Sequence, residues 1–160
     1  MSAFYEGAAE VASRLPDGIW TLGDPRRAPK VIGAYRRSCE RHGRELGEVI
    51  LQTLFSWADD DEAALEWKGT LVDANYTEDI HDPAEIAESG EDEVSDTKLR
   101  AMTIVSSDPE AHVKRIEMLE GIGASIVALM NVSGADPHGA LGMYGREVLP
   151  ELRSQRVDVK

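Results

Sequence analysis

The residue types in this chain best suited to metal binding or to nucleophilic chemistry are four histidines and one cysteine, and their spacing argues against both uses. His42, His81, His112 and His138 are widely separated and lack the i, i+4 or cysteine-paired spacing of a metal site, so no metal is expected. His42 falls near the end of a helical pattern, where the helix dipole accounts for it. Cys39 has apolar Val31, Ala34 and Tyr35 near it at helical spacing and no Cys/His signature around it, which reads as a buried structural thiol. The run "DDDE" at 59–62 lacks the ligand spacing and central glycine of an EF-hand loop and reads as a solvated face. "GIGAS" at 121–125 has neither a P-loop lysine nor Rossmann spacing and reads as a helix end entering a strand. No position is assigned a catalytic role.

The bulk numbers narrow the remaining choices. A chain of 160 residues with 42% apolar content is the size of one ordinary domain with a real core. Thirty acidic against 17 basic residues give a formal charge of −13, which argues against nucleic acid or an anionic membrane surface as partner. Most bases are arginines and the acids are spread along the chain, a pattern that fits a salt-adapted surface and equally an ordinary acidic protein. The longest apolar run, near 126–132, is far short of the roughly 20 residues that span a bilayer, so a soluble, cytoplasmic protein is expected.

The elements that would position any site follow from periodicity. "YEGAAEVASRLP" places Ala8, Val11, Ala12 and Leu15 at helical spacing, with Pro16 as the stop. "DGIWTLGD" is a short apolar run that suits a strand buried on both faces. Asp24 then caps a second helix, with Pro25 at its first position and Gly43 at its end. "EVILQTLFSWA" reads as a strand, and "DDDEAALEWKGTL" as a helix with acids at its N-terminus. At 75–96 the pattern breaks into an acidic excursion, expected to be solvated and mobile. Order returns with Asp108 and Pro109 starting a helix whose buried stripe is Val113, Ile116 and Leu119. "ASIVALMNV" is the last strand, and a closing helix begins near Pro137 and leaves a frayed tail at 154–160. Three strands alternating with helices describe a parallel α/β fold over residues 1–153 with right-handed crossovers.

Five stretches carry a resemblance in their order and spacing: "SAF", "AAEVASRLPDGIWTLGDP", "WKGT" with "YTEDIHDP", "IVSSDPEAHVKRIEMLEGIGASIVALMNV" and "MYGREVLPELR". Together they resemble the luciferase-like superfamily of flavin- and F420-dependent oxidoreductases, in its F420-dependent branch. The resemblance implies the C-terminal half of a TIM (β/α)8 barrel, an architecture typically much longer than this chain. It places "MSAF" at the end of a fifth barrel strand, with the preceding strands outside this sequence. A half barrel leaves strand edges and an interior face uncovered, so a homo-oligomer or a complementary half-barrel is the expected partner beside a small-molecule substrate. The resemblance implies coenzyme F420 as cofactor, with FMN as the alternative, and hydride transfer to or from an organic substrate. A non-catalytic truncated α/β protein is the competing reading.

The resemblance also names residues. Ser2, Ala3 and Phe4 match the strand end that lies against the cofactor, and the helix that follows could meet a phosphate with its N–H groups; the alternative is a frayed terminus. Trp20, Thr21 and Gly23, with Asp24, fall at the C-terminal end of a strand, the face on which TIM barrels build active sites. They are candidates for substrate binding, against core packing for Trp20 and capping for Asp24. His138, in the loop after the last strand, is the remaining substrate-pocket candidate. Places where the glucose-6-phosphate branch carries basic residues hold Asp24, the neighbourhood of Ala101, and His138 with Gly139 here. A sugar phosphate is therefore not expected as substrate.

Overall fold

A computed structural model describes residues 1–14, 17–70, 95–134 and 136–157. In chain order these form α1 (Glu6–Ala12), β1 (Gly18–Leu22), α2 (Ala28–Arg41), β2 (Glu48–Ser56), a 3-10 helix (Ala63–Thr70), α3 (Asp96–Met102), β3 (Ile104–Val105), α4 (Pro109–Ile122), β4 (Ile126–Asn131) and α5 (Pro137–Met143). A π-helical turn (Tyr144–Val148) and α6 (Leu149–Val157) close the chain. β1 pairs parallel to β2 in the register Trp20 to Ile50, β3 pairs parallel to β2 through Phe55 and Ile104, and β4 also pairs with β2. The parallel α/β architecture expected from the alternating pattern is present. Among the described residues no helix is long and apolar enough to cross a membrane.

The chain divides into two compact units, one of Met1–Leu54 with Val113–Met130 and the other of Phe55–His112 with Asn131–Lys160. In the first unit, α1, α2 and α4 cover one face of the strands. Ala9 and Ala12 of α1, Val31, Ile32, Tyr35 and Cys39 of α2, and Leu119 of α4 pack on Ile19, Val49 and Leu51. Period-2 alternation decides which strand residues join them. Ile19 and Thr21 of β1 are buried, whereas Trp20 and Leu22 between and beyond them are exposed. The sequence expectation of a strand buried on both faces is thus corrected, because among the described residues helices cover only one side of β1. Tyr35 adds a polar anchor within this packing, its hydroxyl accepting the Gly47 N–H at 3.2 Å.

Two start signals were displaced by local geometry. Asp24 does not cap α2; its carboxylate accepts the Arg26 N–H at 2.8 Å. A short carboxylate of this kind favours a turn, here over 25–27, and α2 begins only at Ala28 with Pro29 in its first turn. The pattern read as a helix at "DDDEAALEWKGTL" is a 3-10 helix, the tighter form used in short pieces, over Ala63–Thr70. Asp60 leads into it, its side chain accepting the N–H groups of Glu62 at 3.0 Å and Ala63 at 2.8 Å. Two elements escaped the periodicity reading, β3 because it is two residues long and α3 because its seven residues adjoin the acidic excursion, where the pattern is broken. The acidic excursion lies mostly outside the described residues, as do Leu15 and Pro16. α6 runs to Val157, through part of the segment expected to fray, and residues 158–160 lie outside the described residues.

Candidate functional site

The first unit carries four strand segments side by side: residues 1–3, β1, β2 and β4. The Ala3 N–H donates to the Trp20 carbonyl at 2.8 Å and the Trp20 N–H to the Met1 carbonyl at 2.9 Å, which sets Ser2 opposite Trp20 in a parallel bridge. On the other side of β1, the Gly23 N–H donates to the Gln52 carbonyl at 2.7 Å. The Ser125 N–H reaches the Val49 carbonyl at 2.9 Å and brings in β4. Odd-numbered β2 residues Val49, Leu51 and Thr53 are buried under the helices, so Ile50 and Gln52 belong to the opposite face.

That opposite face has a polar thread through an apolar surface. The Trp20 indole N–H donates to Gln52 Oε1 at 2.8 Å, and the Gln52 amide nitrogen touches the Met130 sulfur. Trp20 is 39% exposed, Leu22 44%, Ile126 45% and Met130 48%. Gln52 was overlooked at the sequence level, although a lone amide inside "VILQTLF" was a visible signal: in a strand core it needs a partner.

The named candidates distribute as follows. Ser2, Ala3 and Trp20 are brought together by the backbone bridge, with Ser2 exposed and Ala3 buried against the core. Phe4, 46% exposed, follows directly in a bend. Thr21 points into the helix-covered side, 2% exposed, and so does not share the face of Trp20. Gly23 sits where a Cβ would come to 3.2 Å from both the Gln52 carbonyl oxygen and Leu119 Cδ2. Such a close approach of backbone is a position that suits glycine. Asp24 ion-pairs with Arg27 at 3.8 Å and adds a favourable field to Arg115, whose pKa burial lowers. His138 is exposed in the first turn of α5, in the second unit, beside the Asp136 cap of Gly139 N–H at 2.7 Å.

The second unit builds loops after the ends of β2, β3 and β4. The Trp57 indole N–H donates to the Ser107 carbonyl at 2.9 Å, and the Trp57 backbone N–H to Ser133 Oγ at 3.0 Å. Asp61 of the "DDDE" run accepts the Ser107 N–H at 2.7 Å and its hydroxyl at 3.0 Å, and meets Arg100 at 3.5 Å. The backbone N–H of Ser107, with the Ser107 hydroxyl and the Arg100 charge, holds the Asp61 carboxyl below the ordinary carboxylate range, because each favours the charged form. Read from sequence as a merely solvated residue, Asp61 is the organiser of the loop that leads into α4.

Beneath that loop lies a buried polar cluster. His112 is fully buried, its Nε2 3.0 Å from the Ser106 carbonyl and its Nδ1 2.9 Å from the Tyr144 hydroxyl. A carbonyl only accepts, so Nε2 carries the proton and Nδ1 accepts from Tyr144. Phe55 completes the cluster, its ring centroid 4.3 Å from that of Tyr144 and 6.3 Å from that of His112. The 6.3 Å edge-on separation from His112 lies in the range of favourable aromatic pairs, and the tilted Tyr144 ring packs slightly closer than that range.

Burial drives the His112 pKa below 6.5, against smaller opposing effects of the Ser106 carbonyl and the charges of Asp108 and Asp61. Burial acts in this direction because it disfavours the charged imidazolium. The unfolded chain then binds the proton more readily, so stability rises with pH through this window. The His112 contribution is complete above about pH 6.5 and is lost as the pH falls toward the depressed folded value. Urea unfolding at about pH 7 and about pH 5.5 should show this loss in the wild type and a smaller one in His112→Gln; equal losses would refute the assignment.

The parallel strands and their helices define the class: an α/β fold that matches about half of a TIM-barrel-type architecture. Its sequence relatives are F420-dependent glucose-6-phosphate dehydrogenases. The chain is 30% identical over 157 residues to the one from Microbacterium testaceum strain StLB037, covering 92% of this chain and 46% of that protein. It is 27% identical over 158 residues to the one from Nakamurella multipartita, covering 92% of this chain and 45% of that protein. An F420-dependent secondary alcohol dehydrogenase, solved with an F420-acetone adduct, superposes with a TM-score of 0.79 at 21% identity, over 94% of this chain and 47% of that one. The coenzyme F420-dependent tetrahydromethanopterin reductase from Methanopyrus kandleri gives 0.75 at 21% identity, over 95% of this chain and 50% of that one. The chain therefore spans about half the length of the relatives it matches. No family model matches it.

Proposed function

We propose that this chain forms part of an F420-dependent oxidoreductase of the luciferase-like type, which transfers hydride between the deazaflavin and an organic substrate. The observation that carries the reading is the similarity to F420-dependent dehydrogenases along nine-tenths of the chain, joined to a parallel α/β half-barrel. When bound, the cofactor supplies the hydride-transferring centre, and the protein orients it and excludes competing reactions.

The residues present fit one wall of such a site. Ser2 offers an exposed hydroxyl and Phe4 an exposed ring at a strand end, a combination suited to the edge and face of a planar heterocycle. Ala3 holds that strand end to Trp20 through its backbone. Trp20 and Gly23, on the strand and loop beside it, are the proposed substrate-side residues of the first unit, with Thr21 supporting them from the core. His138, exposed on α5, is a separate candidate contact of the second unit, taken by itself. The fit is weaker at the phosphate end: α1 has seven residues, lacks a side-chain cap, and has Glu6 in its first turn, with Arg37 only at 3.9 Å. With Asp24 where a phosphate-gripping base is expected, the reading favours an organic substrate without a sugar phosphate.

The test is a fluorescence titration of the purified chain with F420 in molar salt, with FMN as comparison. Saturable micromolar binding of F420, weakened by Ser2→Asp, is the expected result. Absence of binding to a chain with native circular dichroism would leave the non-catalytic reading; preference for FMN would move the chain to a flavin-dependent branch.

A further inference from the structure

We propose that His112 is a proton-operated latch: neutral, it ties the Ser106 loop to the π-helical turn through Tyr144, and protonated, it keeps the loop and releases the turn. The inference goes beyond the oxidoreductase reading and needs neither cofactor nor substrate.

The latch lies wholly within the second unit. His112 is fully buried between two partners of opposite kind: the Ser106 carbonyl accepts from Nε2 at 3.0 Å, and the Tyr144 hydroxyl donates to Nδ1 at 2.9 Å. A neutral imidazole satisfies both, since it has one donor and one acceptor. An imidazolium has two donors and no acceptor. Its new Nδ1–H meets the Tyr144 O–H head-on, and among the described residues that hydroxyl has no second partner to take its proton. Ionising is no escape, because burial pushes the Tyr144 hydroxyl above the ordinary tyrosine range. A buried donor left without an acceptor costs stability, so the Tyr144 contact is the one that breaks.

On the loop side the same proton strengthens the hold. The Ser106 carbonyl then accepts from a charged donor, a stronger bond than a neutral one. Two carboxylates favour the charge, Asp108 just ahead of α4 and Asp61 after β2, and Arg100 of α3 pairs with Asp61 at 3.5 Å. From the π-helical turn the titratable group facing the ring is Tyr144, and Phe55 of β2 meets the ring edge-on without a charge. The loop has further ties: Asp61 accepts the Ser107 N–H at 2.7 Å, and the Trp57 indole donates to the Ser107 carbonyl at 2.9 Å. Asp61 is held below the ordinary carboxylate range, so it stays charged between about pH 7 and about pH 5. A π-helical turn is a rare backbone form, seen mostly as single turns. This one starts at Tyr144, the residue that carries the tie, and Val148 and Leu152 beyond it are buried. Loss of the tie therefore loosens the turn and the first residues of α6 while the loop stays in place.

The experiment is hydrogen–deuterium exchange of the 160-residue chain in a series from about pH 7 to about pH 5, corrected for the intrinsic effect of pH on exchange. Across that series residues 144–152 should lose protection by about tenfold more than β2 does. His112→Gln keeps one donor and one acceptor and takes up no proton, so it should abolish the difference. Equal losses in the two segments, or the same difference in His112→Gln, would overturn the proposal. Should that variant fail to fold, Tyr144→Phe gives a second reading by proton NMR of the His112 ring. It removes the O–H that favours the neutral ring, so the His112 midpoint should rise above that of the wild type. A midpoint that stays or falls would overturn the latch as well.

Discussion

Gly18→Ala should cost the protein about 3–5 kcal/mol, enough to remove most of the stability of an ordinary domain. Gly18 opens β1 at φ +119, a region that L-residues avoid for steric reasons. A Cβ there would also overlap the backbone carbonyl oxygen of Glu48, its register partner in β2. Neither conflict can be relieved by moving a flexible side chain. The backbone must shift, and the register Gly18 to Glu48, Ile19 to Val49 and Trp20 to Ile50 starts from that point. Gly47 tightens the same crossing, since a Cβ on it would lie 2.9 Å from the Gly18 nitrogen. Urea unfolding followed by circular dichroism measures the loss. Gly7→Ala is the control, because Gly7 lies within α1 with nothing near its would-be Cβ. Alanine there should stabilise by up to about 1 kcal/mol. A loss below about 1 kcal/mol for Gly18→Ala would show that the β1–β2 crossing is looser than drawn.

Leu119→Ala should cost about 2–5 kcal/mol through the transfer free energy of the lost methyl groups and the cavity they leave. Leu119 is wholly buried on α4 and belongs to the core cluster that α1 and α2 share with β1 and β2. Its environment is rigid: one of its methyl carbons sits 3.2 Å from where a Cβ on Gly23 would stand, and the Gln52 carbonyl is equally close to that point. Shortening Leu119 opens space next to Gly23, so Gly23→Ala should be less damaging in the Leu119→Ala background than in the wild type. A double-mutant cycle reads that coupling directly, and strictly additive losses would refute the contact. Leu141 is 54% exposed, and Leu141→Ala should change stability by less than about 0.5 kcal/mol.

How far the candidate site could be read from sequence depended on whether its interactions are local. Val113, Ile116 and Leu119 recur at helical spacing, and all three are buried on α4 as that spacing requires. Gly43 was placed as the stop of α2 and takes φ +62 there, a conformation that glycine adopts without penalty. Cys39, read as a buried thiol, is 2% exposed. Asp24 and Asp61 misled for a related reason: a short carboxylate satisfies whichever backbone N–H lies nearest, and that choice is made by the turn geometry. Asp24 turned to Arg26, two residues on, while Asp61 turned to Ser107, 46 residues away. The His112–Tyr144 pair, 32 residues apart, left no local trace.

What the amino-acid sequence determined alone was the alternation of the longer strands and helices and their parallel α/β class, because periodicity and stops are short-range properties; the resemblance to half of an F420-dependent barrel lay in the order of five matched stretches. Only the tertiary structure decided which face of each strand the helices would cover. The alternation in "GIWTL" separates Ile19 and Thr21 from Trp20 and Leu22 but does not say which pair is inside. That choice came from α1, α2 and α4 settling on the side of Ile19, Val49 and Leu51, contacts between segments distant in sequence. The consequence is the open apolar face through which Trp20, Gln52 and Met130 touch one another.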